Sequence, residues 1–370
     1  MLDRSGIPVG INGIGGRIGG NTLRVMIEHP KLKFDVRAGN DIGLDPEDPA
    51  RNFVQCKAHD STFGPWPCRM FADGDNLVLE TSNEATRIKL YSERDPGAIP
   101  WGENGITGVA ECTGVFRSRA TADRPGYDSH LTGGAQRVAL SAPAKDDVLT
   151  VVYGVHEKEL NTEPLLSGAS CTSGSIAFPL KALLSHKEEW GFNAGFICTV
   201  HAYTAGEQGL QDQPKHITPG SRRMFAGPVN IIPTTTGAAK AIPNVDGLGE
   251  GMAGIPFDGY ALRVPVISGS ATLLNVTLAK EPPLEEVLQC FRSLAAQRKM
   301  NGKFAVNEDP HKHVSGLPLV SSAIIARPES SIIDVENCLK QGSMYSFLCW
   351  YGNEWGYVYR LVEALHEQCS

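Results

Sequence analysis

A glycine-rich segment between an apolar run and a helical pattern most constrains the fold of this chain. Gly13-Ile-Gly-Gly-Arg-Ile-Gly19 follows the apolar run at 7–11, and it leads into residues 17–28, whose apolar side chains have helical spacing. Glycines at a strand-to-helix turn let the backbone approach a pyrophosphate, whose charge is stabilised at the helix N-terminus. The segment therefore predicts a dinucleotide site. Its spacing is GxGxxxG rather than GxGxxG, and a simple glycine turn is the alternative.

An acidic residue follows at the distance that such a site requires. Asp41 lies 22 residues after Gly19, at the end of a second apolar run. An acid about 20 residues beyond the glycines hydrogen-bonds the adenosine ribose and repels a 2′-phosphate. This position predicts NAD rather than NADP. The alternative is that Asp41 caps a turn, because Asn40-Asp-Ile-Gly has good turn chemistry.

Strand and helix patterns alternate along the first third of the chain. After the run at 7–11, apolar segments at 34–38, 108–111, 137–141 and 149–153 predict further strands. Such alternation is typical of a parallel, doubly wound α/β sheet.

The pattern changes after about residue 170. We predict a helix at 176–190, a β-rich stretch at 260–278, strands at 322–325 and 346–351, and a final helix at 357–367. This order favours a second, more antiparallel sheet with helices on one face. The best boundary between the two parts lies near Ala169.

The charge and cysteine content exclude several classes of protein. The chain has 34 basic and 41 acidic residues, a net charge of −7, so no nucleic-acid or anionic-membrane partner is expected. No apolar run reaches the roughly 18 residues that span a bilayer. Nine cysteines without CxxC pairs indicate neither a disulfide framework nor a zinc or other metal site. The first residues carry no signal or transit pattern, so we expect a cytoplasmic protein.

One cysteine has a distinctive context. Cys171 lies in the run of small and hydroxyl residues 167–174, just before the predicted helix at 176–190. The dipole at a helix N-terminus favours a thiolate, so Cys171 is a candidate nucleophile. The alternative, which we adopt for the other eight cysteines, is a small buried hydrophobe.

Taken together, the motifs resemble those of phosphorylating glyceraldehyde-3-phosphate dehydrogenases from about residue 8 to residue 365. The matching segments are Ile11–Gly19, Asn40-Asp41, Asp60–Gly64, Glu93–Pro96, Cys112–Phe116, Ser141–Pro143, Ser170–Thr172, Thr199–Thr204, Ile231–Lys240, Arg263–Pro265 and Trp350–Tyr357. The resemblance implies an α/β doubly wound (Rossmann) NAD-binding domain over 1–169, with the C-terminal helix 354–370 packing back on it. It also implies an α+β catalytic domain over 170–353 built on a mainly antiparallel sheet.

The resemblance also implies an activity and the residues that perform it. The family oxidises D-glyceraldehyde 3-phosphate to 1,3-bisphosphoglycerate with NAD and phosphate, and it forms homotetramers. By this resemblance Cys171 forms a thiohemiacetal and then a thioester, and His201 is the acid–base residue. The NAD contacts would be Asn12, Gly13, Gly15, Arg17, Ile18, Gly19, Asp41, Arg94, Thr113, Ser141, Asn353 and Tyr357. The substrate phosphate would contact Thr204, Arg263 and either Arg222 or, as we prefer, Arg223. The attacking phosphate would contact Ser170, Thr172, Thr236 and Gly237.

The chain departs from the family pattern around its active site. The usual Asn-Ala-Ser-Cys-Thr-Thr-Asn-Cys-Leu-Ala-Pro is replaced by residues 168–179, which have glycines for both asparagines and an inserted Phe178. Gly16 lengthens the NAD loop, and the run 205–208 has an extra residue. Three hypotheses follow. The first is an active dehydrogenase, which includes a specialised copy that tolerates an inhibitor. The second is an enzyme for another phosphorylated aldehyde, such as erythrose 4-phosphate. The third is a non-catalytic NAD-binding paralogue.

Overall fold

The computed structural model describes residues 6–29, 31–81, 85–207, 209–212 and 220–370. The chain forms two compact units. The first contains residues 1–153, 157–169 and 358–370, and the second contains residues 154–156 and 170–357. Among the described residues, no helix is long and apolar enough to cross a membrane.

The first unit is built around a nine-stranded sheet in the order β10-β11-β9-β8-β1-β2-β7-β6-β5. Its strands, together with the separate β3–β4 pair, are β1 (Ile7–Asn12), β2 (Phe34–Asn40), β3 (His59–Asp60), β4 (Gly64–Pro65), β5 (Arg69–Asp73), β6 (Asn76–Glu80), β7 (Ala85–Tyr91), β8 (Gly108–Glu111), β9 (Arg137–Leu140), β10 (Leu149–Thr150) and β11 (Leu165–Ser167). Its helices are α1 (Arg17–Glu28), α2 (Pro49–Lys57) and α3 (Ser129–Thr132).

The loops that follow β1, β2 and β8 lie at one edge of this sheet, because these strands are parallel. Strand β1 pairs in parallel with β2 and with β8, and Val9 and Ile11 on β1 are fully buried. Strands buried on both faces read as continuous apolar runs, which is why the sequence pattern identifies them. The carboxyl ends of β1, β2 and β8 therefore lie together, and the doubly wound prediction is confirmed.

The second unit contains an eight-stranded, mainly antiparallel sheet in the order β13-β14-β12-β15-β19-β17-β16, with β18 paired to β19. Its strands are β12 (Phe192–Ala202), β13 (Ile232–Thr235), β14 (Phe257–Val264), β15 (Ser270–Leu278), β16 (Phe304–Asn307), β17 (Ser331–Asp334), β18 (Leu339–Gln341) and β19 (Met344–Tyr351). Its helices are α4 (Cys171–Leu184), α5 (Lys187–Trp190), α6 (Ala238–Ala241), α7 (Gly249–Met252) and α8 (Leu284–Ala295). The last helix of the chain is α9 (Trp355–Cys369).

Helix α4 is the central buried helix of the second unit. Ile176, Phe178 and Leu180 are fully buried, and the ring of Phe178 stacks on Phe304 at 5.7 Å. A helix that is apolar or small on every side is stable only when neighbours enclose it. Burial of this helix thus fixes the position of its first residue, Cys171.

Two predicted elements of the second half differ from the structure. The predicted helix at 176–190 begins at Cys171 and is divided into α4 and α5. The predicted strand at 322–325 is wrong, because Ser321–Ile324 form a 3-10 helix whose Ile324 is buried. A short apolar run does not distinguish a strand from a helical turn that directs one residue inward.

Candidate active site

Cys171 is the first residue of α4, and the residues before it shape the helix start. The Ser170 hydroxyl accepts a hydrogen bond from the Ser173 amide at 3.1 Å, which caps the helix. Ala169 has a φ of +54°, a left-handed conformation that is uncommon for a residue with a Cβ. The chain thus turns sharply just before the thiol, and such backbone outliers are frequent at functional sites.

His201 faces the thiol from strand β12. Its Nε2 lies 3.4 Å from Cys171 Sγ, and the residue is only 5% exposed. In the parallel register of β12 and β14, His201 is the partner of Arg263. Sheet pairing therefore places a cation beside the imidazole, and Arg263 Nη1 lies 2.6 Å from His201 Nδ1.

Burial keeps this pair neutral. Burial and, to a lesser extent, the nearby Arg263 charge together lower the pKa of His201 to about 3. Burial likewise raises the pKa of the Cys171 thiol, and the Arg263 charge offsets only part of that effect. The helix start favours the thiolate, but desolvation of the charged form opposes it more strongly and raises the pKa of the thiol. The arrangement is a thiol beside a neutral imidazole.

A chain of hydroxyl groups lies behind the pair. Thr172 Oγ1 is 3.1 Å from the Tyr351 hydroxyl, which is 2.7 Å from Thr199 Oγ1. Tyr351 also meets the edge of the His201 ring, with centroids 6.0 Å apart. Ser175 continues this layer through its 2.8 Å contact with Thr272. These buried groups bond to one another and hold both α4 and β12 in place.

Thr204, Arg223 and Arg263 are brought together by a carboxylate that sequence reasoning missed. Glu207 Oε2 accepts hydrogen bonds from the Thr204 amide at 2.8 Å and from its hydroxyl at 3.1 Å. The other oxygen, Oε1, lies 3.4 Å from Arg223 Nη1 and 3.7 Å from Arg263 Nε. The Glu207 side chain is fully buried. Arg222 is exposed, so the structure favours Arg223 as the second arginine of this cluster.

The residues predicted for the attacking phosphate occupy two places, the start of α4 and the start of α6. Ser170 and Thr172 flank the thiol, and Thr172 is buried. Thr236 Oγ1 accepts a hydrogen bond from the Ala238 amide at 3.2 Å, and Gly237 is an exposed residue that precedes α6.

In the first unit, the glycine loop has the close backbone contacts that a dinucleotide cradle needs. Gly13 has a φ of +80°, and a Cβ on Gly19 would lie 2.0 Å from the Gly13 carbonyl oxygen. Neither position tolerates a side chain. The inserted Gly16 is the exposed N-cap of α1, whose first turn carries no acidic residue. The N-terminus of this 12-residue helix therefore fits a pyrophosphate.

Asp41 contacts the same loop. Its Oδ2 accepts a hydrogen bond from the Gly15 amide at 2.9 Å, and its Oδ1 accepts one from the Gly43 amide at 2.8 Å. The bond from the Gly43 amide is the turn-capping interaction, which the sequence offered as the alternative role of Asp41. The bond from the Gly15 amide joins the carboxylate to the glycine loop, so Asp41 lies beside the segment predicted to bind the dinucleotide.

The buried side chain of Glu111 accepts hydrogen bonds from two other residues predicted to bind NAD, Asn12 and Thr113. Glu111 Oε2 accepts from Asn12 Nδ2 at 2.6 Å and lies 2.9 Å from His130 Nε2, while Oε1 accepts from the Thr113 amide at 2.8 Å. Trp101 Nε1 donates to His130 Nδ1 at 2.9 Å. Sequence reasoning missed Glu111 and His130; the available signal was an acidic residue ending a buried strand.

The remaining predicted NAD residues are spread over both units. Arg17 pairs with Asp60 at 2.5 Å, Ile18 is half-buried in α1, and Arg94 is exposed. The Ser141 amide donates to the Glu111 carbonyl at 2.9 Å. In the second unit, Asn353 Oδ1 accepts from the Gly269 amide at 3.1 Å and from Ser270 Oγ at 3.2 Å, and Tyr357 is buried. Within the described ranges, no three His, Cys, Asp or Glu side chains are grouped to hold a metal ion.

Comparison with known proteins gives concordant matches in both units. Residues 7–119 match the family model described as glyceraldehyde 3-phosphate dehydrogenase, NAD binding domain, and residues 170–353 match the model of the C-terminal domain. A glyceraldehyde-3-phosphate dehydrogenase of Kitasatospora aureofaciens is 39% identical over 365 residues, 96% of this chain and 97% of the relative. Similar proteins of the same name come from Streptomyces coelicolor, at 37% identity over 96% of this chain and 97% of the relative, and from Mycobacterium tuberculosis, at 36% over 97% of each.

Proposed function

The chain belongs to the glyceraldehyde-3-phosphate dehydrogenase family, and from this premise we propose that Cys171 and His201 perform the phosphorylating oxidation of D-glyceraldehyde 3-phosphate. The observation that carries this assignment is the 3.4 Å contact between Cys171 Sγ and His201 Nε2, with Arg263 beside the imidazole. Nucleophile and base within hydrogen-bond reach are the signature of covalent catalysis.

In the first step the Cys171 sulfur bonds to the aldehyde carbon. The thiol proton passes through His201 Nε2 to the aldehyde oxygen, which gives a thiohemiacetal. Because both groups begin neutral, this transfer needs no separated charge in the resting site. A general base positioned in this way contributes about 10²–10⁴-fold to a rate.

In the second step His201 Nε2 takes the hydroxyl proton of the thiohemiacetal. NAD would supply the hydride acceptor that this oxidation needs, and loss of the hydride from the same carbon leaves a thioester on Cys171. An oxygen of inorganic phosphate then attacks the thioester carbon, the carbon–sulfur bond breaks, and His201 returns a proton to the leaving Cys171 sulfur. The products are the acyl phosphate and the free enzyme.

Most of the residues that we assign to NAD belong to the first unit. The close backbone contacts of Gly13 and Gly19 fit a pyrophosphate at the start of α1, and Asp41 supports binding of a ribose without a 2′-phosphate. Glu111 orients Asn12 and Thr113, two of the residues assigned to the cofactor. We assign Gly15, Arg17, Ile18, Arg94, Ser141, Asn353 and Tyr357 to the same cofactor by family resemblance.

Two anion subsites complete the proposal. Thr204, Arg223 and Arg263 would bind the phosphate of the substrate, because they converge on one buried cluster and a guanidinium suits bidentate phosphate binding. Ser170, Thr172, Thr236 and Gly237 would surround inorganic phosphate. The named relatives are glyceraldehyde-3-phosphate dehydrogenases, so the comparisons do not favour an erythrose 4-phosphate enzyme or a non-catalytic paralogue.

We also propose a homotetramer. Phe196 on β12 and Tyr260 on β14 are 44% and 45% exposed and contact each other. Val229 and Ile231, which precede β13, are more exposed still. Exposed apolar groups of this kind mark association surfaces. The segment 206–223, which contributes to neighbouring sites in the family, lies partly outside the described residues.

The domain division and the cellular location remain proposals of the same kind. An NAD-binding domain over 1–169 and a catalytic domain over 170–353 are supported by the two compact units, except that residues 154–156 and 354–357 belong to the second. In α9, the Gln368 side chain donates to the Glu163 carbonyl at 2.9 Å, which supports packing of the C-terminal helix on the first unit. For the cellular location we propose the cytoplasm.

A steady-state assay tests the proposed function. Purified protein receives glyceraldehyde 3-phosphate, NAD and phosphate, and NADH formation is followed at 340 nm. We expect turnover that requires phosphate and is lost in Cys171→Ser. Erythrose 4-phosphate in place of the triose tests the alternative substrate. Equal turnover of Cys171→Ser and the unmodified enzyme would remove the assignment.

A further inference from the structure

Ser270 is a buried residue whose hydroxyl contacts two parts of the candidate site. It is the first residue of β15, and it is only 1% exposed. Its hydroxyl oxygen accepts a hydrogen bond from the Ala202 amide at 3.1 Å, and the hydroxyl donates to Asn353 Oδ1 at 3.2 Å. Because a backbone N–H can only donate, the bond from Ala202 leaves the single hydrogen of the hydroxyl for Asn353. The directions of both bonds are therefore fixed.

Paired strands hold the two partners of Ser270 in place. Ala202 is the last residue of β12, and its carbonyl oxygen lies 2.6 Å from His201 Nδ1. In the antiparallel register of β15 and β19, Ser270 is the partner of Tyr351, and Asn353 follows shortly after that strand. Sites built on strands are held more precisely than sites on loops. The Ser270 hydroxyl thus joins Asn353 to the peptide that contacts the imidazole.

The same contacts determine which end of the Asn353 amide faces a ligand. The Gly269 amide also donates to Oδ1, at 3.1 Å, and a backbone donor requires that the atom beside it be the oxygen. Both lone pairs of Oδ1 are then used. Nδ2 has no hydrogen-bond partner within the described ranges, although Asn353 is only 5% exposed. Asn353 therefore presents a hydrogen-bond donor, and no acceptor, to a ligand.

We propose that Ser270 is a positioning residue for the cofactor: its hydroxyl holds Asn353 so that Nδ2 donates to the carboxamide oxygen of the nicotinamide. The inference rests on the proposed function, since it takes Asn353 as a ligand of NAD. Asn353 is joined through Ser270 to the peptide beside His201, so it belongs to the part of the site where hydride leaves the substrate. The nicotinamide receives that hydride, and its carboxamide is the hydrogen-bonding substituent on the ring carbons.

Calorimetric titration with two cofactors tests the proposal without measuring turnover. One is NAD, and the other is its thionicotinamide analogue, in which sulfur replaces the carboxamide oxygen and accepts hydrogen bonds weakly. We expect the unmodified protein to bind NAD about fivefold more tightly than the analogue, which corresponds to one neutral hydrogen bond. In Ser270→Ala, Oδ1 keeps one donor instead of two and the amide can rotate. The two dissociation constants should then agree within about twofold.

A merely structural role for Ser270 predicts a different result. General loosening of the site would weaken the binding of NAD and of its analogue alike, so a ratio that stays at about fivefold in Ser270→Ala would overturn the proposal. Ser270→Cys is the second variant, because a thiol forms only weak hydrogen bonds and leaves no cavity, and it should also lose the ratio. Ser268→Ala is the matched control: Ser268 is buried in the segment before β15, and its replacement should keep the ratio.

Alkylation of Cys171 by iodoacetamide shows where Ser270 acts. In cofactor-free Ser270→Ala the alkylation rate should stay within about twofold of that of the unmodified protein, because the imidazole keeps its contact with Ala202. The rate of the NADH burst with glyceraldehyde 3-phosphate should fall by at least about tenfold, because misplacement of a reacting group is costly. An equal fall in both rates would mean that Ser270 acts through His201, and would overturn the proposal.

Failure of this inference and failure of the proposed function give different results. If the protein binds no NAD and forms no NADH from glyceraldehyde 3-phosphate, the proposed function fails and the inference fails with it. If NAD binds and the burst occurs, but Ser270→Ala and Ser270→Cys keep the preference for NAD over its analogue, only the inference fails.

Discussion

Replacing Asp41 by Asn should open the cofactor site to NADP. Asp41 accepts hydrogen bonds from the Gly15 and Gly43 amides, and an Asn side chain keeps one carbonyl oxygen that accepts the same kind of bond. The substitution therefore removes a charge while preserving much of the loop geometry. It isolates the repulsion between the carboxylate and a 2′-phosphate.

The size of the effect follows from the exposure of the site. Asp41 is partly exposed, so its charge interacts through a water-like dielectric. Two unit charges about 4 Å apart then repel by about 1 kcal/mol, and a phosphate dianion repels by about 2 kcal/mol. At 1.4 kcal/mol for each factor of ten, NADP should bind Asp41→Asn about 30-fold more tightly than it binds the unmodified protein.

Calorimetric titration of both cofactors measures this change. The assay belongs at low ionic strength, because salt screens a partly exposed charge. NAD affinity should fall only by the loss of a charge-assisted hydrogen bond to the ribose. Asp35→Asn is the matched control: Asp35 lies on β2 and pairs with Arg37 at 2.7 Å, so its loss should leave cofactor preference unchanged. An NADP affinity that does not respond to Asp41→Asn would refute the reasoning.

Three further predictions concern catalysis, acid stability and assembly. His201→Asn should keep the fold and lose at least about 10²-fold in turnover, measured by NADH formation; a smaller loss would argue against a general base. Because burial depresses the pKa of His201 to about 3, the unmodified protein should lose stability as pH falls from about 6.5 towards 3, and His201→Asn should lose less, as urea midpoints at several pH values will reveal. Equal losses would mean that His201 is not buried and neutral. Light scattering should give about 160 kDa, four chains of 39.8 kDa, and a monomer at micromolar concentration would contradict the tetramer.

Apolar runs predicted β1, β2, β8 and β9 of the first unit, because these strands are largely buried. They did not predict β3 to β7, where β5 and β7 are only partly buried. The helix at 17–28 has the predicted bounds, and the second strand extends two residues beyond the prediction, to Asn40. Apolar spacing could not predict where α4 begins, because the first turn of this helix consists mainly of small residues with hydroxyl groups. In the structure the Ser170 hydroxyl caps this turn and Ser175 donates to the Thr172 carbonyl, so the helix begins five residues early.

The sequence predicted the residues of the candidate site that lie in motifs. It missed the residues that reach the site only through tertiary contacts. Cys171 and His201 lie in recognisable motifs, and sheet register brings Arg263 beside the imidazole. Glu207 lies near Arg223 and Arg263, which are distant from it in sequence, so no local pattern predicts a carboxylate between the two arginines. The sequence also did not predict the raised pKa of the Cys171 thiol. That pKa depends on how deeply the thiol is buried, which residue spacing does not show.

The central claim is that Cys171 carries the oxidised substrate as a thioester. Rapid mixing of enzyme, NAD and glyceraldehyde 3-phosphate without inorganic phosphate tests it, because the thioester then has no acceptor. The account predicts a burst of one NADH per chain, an acyl adduct on the Cys171 peptide by mass spectrometry after acid quench, and release of the adduct when phosphate is added. Continuous NADH formation by Cys171→Ser, or a burst with no mass added to Cys171, would contradict it.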